Sequence, residues 1–174
     1  MTKRVAIIGA GMAGLAAARL LHEAGASCTI FDKSRGLGGR MATRRTGDFS
    51  FDHGAQYFTA RGPRFRALVD AWSAAGHAAP WYDDEIFVGA PGMTAPARAM
   101  AAGLETVLGF EVKSLSRGAQ GWSVHAGEEA HEGFAAVIIA TPAPQTTPLL
   151  ESGGMSFPEL ASAHYAPCLA LMLA

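Results

Sequence analysis

The chain has 174 residues, 49% of them hydrophobic and 17% charged, with a formal net charge of −1. That length suits one domain with a full core, the charge balance argues against nucleic acid as a main partner, and no uninterrupted apolar run reaches the length of a membrane span. The charged fraction lies below the quarter or so of an average domain, so much of the surface is expected to be covered by a ligand or by further protein.

Val5-Ala-Ile-Ile-Gly-Ala-Gly-Met-Ala-Gly14 puts an apolar strand directly before a G-x-G-x-x-G turn. The following segment reads as a helix. Ala13, Ala16, Ala17, Leu20, Leu21 and Ala24 fall on one predicted buried face, and Arg19, His22 and Glu23 on the other. Gly25 stands where the helix would stop. A second strand, Ser27 to Phe31, closes on Asp32, 18 residues beyond Gly14. This is a dinucleotide-binding pattern, and each part has a physical task. Gly9 permits the tight turn, Gly11 lets a pyrophosphate approach the backbone, and Gly14 lets helix and strand pack closely. The helix N-terminus offers free N–H groups to phosphate, and Asp32 would accept the hydroxyls of an adenosine ribose. An acidic residue there disfavours a 2′-phosphate. Competing readings are a glycine-rich turn in an ordinary α/β protein and a signal peptide, with Lys3 and Arg4 before an uncharged run from Val5 to Ala18. Glycines interrupt that run, whereas a signal core is a continuous apolar helix.

Lys33-Ser-Arg-Gly-Leu-Gly-Gly-Arg-Met41 comes next as a second glycine-rich loop, with Arg35 and Arg40 as fixed positive charges suited to a pyrophosphate. Pro63 to Gly76 reads as a helix with Phe65, Leu68, Val69 and Trp72 on one face. Asp83-Asp84-Glu85 reads as a solvated loop. Thr94 to Leu108 reads as another helix, with Pro96 in its first turn. Phe110 to Ser116 and Gly121 to Ala126 read as strands joined by a hairpin at Arg117 to Gln120. Val137 to Ala140 is a continuous apolar run, expected of a strand covered on both faces, and Pro142, Pro144 and Pro148 interrupt the apolar stretch beyond it. Leu169 to Ala174 reads as a buried strand, which leads to the expectation of a longer protein or a tightly docked final strand. Cys28 and Cys168 both lie in apolar strand-like stretches, and the reading is of buried free thiols in a reducing cytoplasm.

The two glycine-rich loops together resemble the flavoprotein superfamily of amine oxidases and phytoene desaturases, whose second motif ends in Gly-Gly-Arg. Three further segments narrow the likeness. Phe51-Asp-His-Gly-Ala-Gln-Tyr-Phe-Thr59 resembles the Asp-x-Gly-Ala-Gln-Tyr segment of the renalase family and its bacterial members. Phe87 to Met93 is similar to that family's segment before its next helix, and Val137 to Gln145 to its strand and turn returning to the flavin. The resemblance implies a Rossmann-like α/β domain with a parallel sheet that binds FAD, plus an antiparallel meander and part of a substrate lobe. Residues 1–58 and 104–150 would form the flavin-binding core and 59–103 an inserted substrate-facing segment. Residues 160–174 would begin a substrate domain, since family members are longer.

Carried over by motif, Gly9, Ala10, Gly11, Met12, Ala13 and Gly14 would line the pyrophosphate, and Asp32 and Lys33 the ribose end. Gly39, Arg40 and Met41 would wrap the pyrophosphate and ribityl chain. Gly54, Ala55, Gln56 and Tyr57 would sit near the isoalloxazine ring, Val112 at the adenine, and Thr141 and Pro142 over the cofactor. The activity implied is oxidation of dihydronicotinamide dinucleotide isomers, with O2 taking the electrons to give hydrogen peroxide. Hydride transfer of this kind requires no side-chain acid or base, and no catalytic residue is assigned. His53 reads as structural before it reads as a proton carrier, and the six histidines show no metal-binding spacing. Rival readings are a flavin amine oxidase or carotenoid desaturase, and a non-catalytic FAD-binding fragment.

Overall fold

The computed structural model describes residues 4–174. Lys3, part of the charged flank in the signal-peptide reading, lies outside them. The chain opens with strand β1 (Arg4–Ile8), helix α1 (Met12–Glu23) and strand β2 (Ser27–Asp32). A short 3-10 turn at Gly39–Met41 leads into the hairpin β3 (Thr43–Thr46) and β4 (Phe49–Asp52). Next come β5 (Phe58–Thr59), α2 (Pro63–Ala74), β6 (Ala78–Pro80), β7 (Ile86–Gly89) and α3 (Ala95–Ala101). The last third holds β8 (Glu105–Leu108), the meander β9 (Ser114–Gly118), β10 (Gly121–Ala126) and β11 (Glu129–Phe134), then β12 (Ala136–Ile139) and α4 (Ala143–Ser152).

The centre is a four-stranded parallel sheet in the order β12-β1-β2-β8. Alternation along β1 divides the molecule into layers. Val5 and Ile7 face one core with Leu15 and Ala18 of α1, and Val69, Trp72, Phe87 and Met100 of the 59–103 segment. Ala6 and Ile8 face a second core with Phe31, Leu115, Val124, Phe134 and Leu149. The 59–103 segment, which carries most of the small sheet β5-β7-β6, therefore shares its core with α1 and the parallel sheet. Phe31 anchors the other side, its ring 5.2 Å from Phe110 and 5.9 Å from Phe134. Burying such a side chain contributes about 1.5–3 kcal/mol.

Several expectations are corrected by the tertiary structure. Helix α1 buries Gly14, Leu15 and Ala18, whereas Leu20 is 60% exposed and Ala13 and Ala24 are exposed. An alanine-rich helix has little intrinsic facial preference, and the close approach at Gly14 sets its rotation. Arg19, expected on the solvent face, donates to the carbonyls of Met100 and Ala102 and ties α1 to the end of α3. The helix expected from Thr94 to Leu108 stops at Ala101. Gly103 has φ +75°, and Glu105 to Leu108 instead pair in parallel with Thr29 to Asp32. Local periodicity did not reveal that β2 offered an open edge.

In the segment expected as a strand from Phe110 to Ser116, only the part from Ser114 is strand, and Phe110 to Lys113 crosses the sheet end as irregular backbone. Strand β12 lies at the sheet edge and is half-buried; Ile138 packs on one core and Val137 and Ile139 on the other. Leu169, Leu171 and Leu173 are exposed and the run is unpaired among the described residues, so the buried final strand is not observed. Cys28 is buried as expected, but Cys168 is exposed. In α2, Val69 and Trp72 are buried while Phe65 and Leu68 remain partly exposed.

Candidate dinucleotide groove

Strands β1 and β2 end side by side, and the first glycine-rich turn crosses their carboxyl ends. Gly9 has φ +109°, open to glycine at little cost, and its N–H donates to the Phe31 carbonyl at 2.7 Å. A Cβ on Gly14 would lie 1.9 Å from the Gly9 carbonyl oxygen, so this glycine allows helix and strand to touch. A Cβ on Gly11 would meet nothing within 4 Å. That open space is the floor of a groove of about 1170 Å³, beyond the roughly 300–1,000 Å³ of pockets for drug-sized ligands.

The groove floor carries donors. The first intrahelical bond of α1 runs from Leu15 N–H to Gly11 C=O at 3.0 Å. The N–H groups of Met12, Ala13 and Gly14 precede that ladder, and Gly11 supplies no side-chain cap. The helix macrodipole adds partial positive charge at the same place. The second loop closes one wall. Gly38 N–H donates to Ala10 C=O at 2.9 Å, and a Cβ on Gly39 would come 3.2 Å from Gly11 Cα. Arg40 and Lys33 are exposed on this wall.

At the far end of β2, Asp32 is already anchored. Oδ2 accepts Ala10 N–H at 2.7 Å and Oδ1 accepts Ser34 N–H at 2.7 Å. Each carboxylate oxygen has two acceptor sites, so one on each remains for a ligand hydroxyl. The opposite wall is the irregular crossing from Phe110 to Lys113, where Glu111 and Lys113 pair at 3.5 Å around Val112. Neither peptide group of Val112 bonds another described backbone group. Thr141 and Pro142 close the other end below α4. Thr146, buried, bonds the Thr141 carbonyl at 2.8 Å, and the Tyr165 hydroxyl accepts Ala143 N–H at 3.1 Å. Free donors at the floor, paired acceptors at one end and glycines where a Cβ would intrude fit a dinucleotide.

Of the expected site residues, Gly9, Gly11, Met12, Ala13, Asp32, Lys33, Gly39, Arg40, Met41, Val112, Thr141 and Pro142 line this one groove. Ala10 and Gly14 do not: Ala10 is fully buried and holds Asp32 through its N–H, and Gly14 serves the helix–strand crossing. Gly54, Ala55, Gln56 and Tyr57 also stand outside the wall. Gly54 and Ala55 back it, with Ala55 N–H on the Arg40 carbonyl at 2.8 Å and a Gly54 Cβ excluded by that same oxygen. Tyr57 is half-exposed beside Trp81. Arg35, offered as a second phosphate ligand, is exposed and away from the groove. Sequence reasoning missed Ser34, Glu111, Lys113, Gln145 and Tyr165. Flanking positions of Asp32 and Val112 could have suggested the first three; nothing local marks Tyr165.

Comparison with known proteins agrees with this fold. Residues 7–72 match the family described as NAD(P)-binding Rossmann-like domain, and residues 79–174 match flavin containing amine oxidoreductase. Protoporphyrinogen oxidase 2 of Arabidopsis thaliana is 37% identical over 68 residues, 39% of this chain and 13% of that protein. A 4,4′-diapophytoene desaturase of Staphylococcus haemolyticus is 38% identical over 76 residues, 38% of this chain and 15% of that protein. The chain thus matches only a small fraction of the length of these curated relatives. Among solved structures, a candidate protoporphyrinogen oxidase from Exiguobacterium sp. 255-15 superposes with a TM-score of 0.72 at 14% identity, covering 92% of this chain and 64% of that one. A CLA-producing fatty acid isomerase from P. acnes superposes at 0.61 and 16% identity, covering 84% and 60%. At such identities the likeness is one of fold.

Proposed function

The chain belongs to the flavin containing amine oxidoreductase family, whose cofactor is FAD, and from that premise we propose that it is the FAD-holding part of a flavin-dependent oxidoreductase. The observation that carries this reading is the groove at the carboxyl ends of β1 and β2, with free N–H donors at the start of α1 and the two open acceptor sites of Asp32. When bound, the flavin supplies two-electron hydride chemistry, with O2 as final acceptor and hydrogen peroxide as product.

The chain's own residues bind and orient. Gly11 and the N–H groups of Met12 and Ala13 receive the pyrophosphate, with Arg40 as counter-charge. Asp32 receives the ribose hydroxyls, and Val112 offers its N–H and C=O to the adenine edge. Thr141 and Pro142 bound the end nearest α4. Residues 59–103 face the substrate in this reading. The substrate we favour is a dihydronicotinamide dinucleotide, on the motif from Phe51 to Thr59 and its likeness to the renalase family. A carotenoid desaturase is the second reading, supported by the identity to the diapophytoene desaturase. The reading keeps the two thiols in a reducing, cytoplasmic setting; among the described residues no helix is long and apolar enough to cross a membrane.

The test is to load the purified chain with FAD, remove free flavin by gel filtration and record the visible spectrum. A retained flavin band is expected, and a colourless protein refutes the cofactor groove. Anaerobic mixing with dihydronicotinamide dinucleotides then reads the substrate. Bleaching supports the favoured reading; no bleaching with any of them, but bleaching with a carotenoid precursor, transfers the protein to the second.

A further inference from the structure

We propose that Thr43, Asp52 and Thr94 form a polar latch that sets the Gly39–Met41 turn for an anionic ligand by holding the Met41 carbonyl oxygen away from the groove. The inference rests on the dinucleotide reading of the groove and concerns the diphosphate part of that ligand.

Three distant stretches of chain meet in this latch. The Thr43 hydroxyl donates to Asp52 Oδ1 at 2.5 Å, and the same oxygen accepts Met93 N–H at 3.1 Å. The Thr43 peptide N–H donates to the Thr94 hydroxyl oxygen at 2.6 Å, and Thr94 N–H returns a bond to the Thr43 hydroxyl oxygen at 3.2 Å. The Thr94 hydroxyl can donate to either of two acceptors, the Thr43 hydroxyl oxygen at 3.1 Å or the Met41 carbonyl at 3.3 Å. Thr94 is 8% exposed, and the bonds of the latch are part-buried. Gly92 belongs to the same arrangement, because a Cβ there would come within 3.0 Å of the Thr43 hydroxyl.

The turn itself cannot set its own orientation. It spans three residues and holds two internal bonds, Met41 N–H to Gly38 C=O at 2.9 Å and Ala42 N–H to Gly39 C=O at 3.1 Å. Such short 3-10 pieces are weak alone. Outside contacts hold its carbonyls: Arg40 C=O on Ala55 N–H, Met41 C=O toward the Thr94 hydroxyl. Neither Ala55 nor Thr94 lines the groove. The Arg40 and Met41 carbonyls are thus engaged by groups outside the groove lining, while Arg40 itself lines the wall next to the floor donors. Without the Thr94 hydroxyl, the Met41 carbonyl loses the partner that keeps it turned away.

The experiment separates this role from general support of the fold. The flavin-free chain and its Thr94→Val and Thr94→Ser variants are titrated calorimetrically with ADP, which carries the diphosphate, and with adenosine, which does not. Thr94→Val is expected to weaken ADP binding about three- to tenfold, the worth of one neutral hydrogen bond. It leaves adenosine binding unchanged, and Thr94→Ser restores ADP binding. Thr43→Val, read by the same ratio of ADP to adenosine affinity, serves if Thr94→Val does not fold. Equal weakening toward both ligands, or no weakening toward either, overturns the latch while the groove reading stands. Failure of the unmodified chain to bind ADP at all overturns the dinucleotide reading and the latch with it.

Discussion

Gly11 and Gly14 lie three residues apart in one motif, yet the structure assigns them opposite sensitivities. An ideal Cβ on Gly14 would sit 1.9 Å from the Gly9 carbonyl oxygen and 3.1 Å from its carbon, both backbone atoms of the strand-ending turn. Gly14→Ala must therefore separate α1 from β1 by more than an ångström-scale adjustment of a side chain. Forced overpacking typically costs up to about 3 kcal/mol, sometimes more. For a chain of this size that lowers Tm by roughly 6–12 °C. At Gly11 the Cβ meets nothing within 4 Å and the backbone is extended, φ −76° and ψ 176°. Gly11→Val should melt within about 2 °C of the unmodified chain, since small losses at an N-cap offset the gain from a stiffer unfolded chain. Its side chain projects into the groove floor, however, and FAD retention should fall by about 2 kcal/mol or more, over about thirtyfold. Thermal melts by circular dichroism and flavin absorbance after gel filtration measure both. A Gly14→Ala protein that melts with the unmodified chain, or a folded Gly11→Val protein that holds flavin equally well, refutes the reasoning.

Arg40→Ala should weaken FAD retention by about 1.5–3 kcal/mol, roughly ten- to hundredfold, from loss of a charge-assisted contact, whereas Arg35→Ala, away from the groove, should not; equilibrium dialysis showing equal losses would sink the assignment. Cys168 is exposed and should react promptly with iodoacetamide, while Cys28 is buried, its thiol pushed upward by desolvation and by Glu105, and should react only on unfolding,. Mass spectrometry that finds Cys28 modified first would contradict the packing of α1 on β2. Replacing Leu169, Leu171 and Leu173 by serine should change stability by less than about 0.5 kcal/mol per site, because all three are exposed, yet reduce self-association in light scattering; a large drop in Tm would show that the segment is packed.

The beginning of the chain was legible because its information is local. Strand, glycine turn, helix, second strand and Asp32 succeed one another within the first stretch of sequence. Glycine spacing and hydrophobic periodicity specify that unit without knowledge of the remainder, and the structure reproduces it from Arg4 to Asp32. Features that depend on a neighbour were not legible. The face buried by α1 follows from contact at Gly14, not from the alanine pattern. Glu105 to Leu108 became a strand because β2 had an edge to pair with, and backbone pairing outweighed the helical reading there. Leu169 to Leu173 carry a strand pattern but have no partner among the described residues, and a strand exists only through hydrogen bonds to another,. The groove walls come from four separated stretches, and the Thr43–Asp52–Thr94 contacts join residues up to 51 positions apart. Short-range propensity carries no record of such meetings; they arise when the two cores close on opposite faces of the parallel sheet and bring those stretches together.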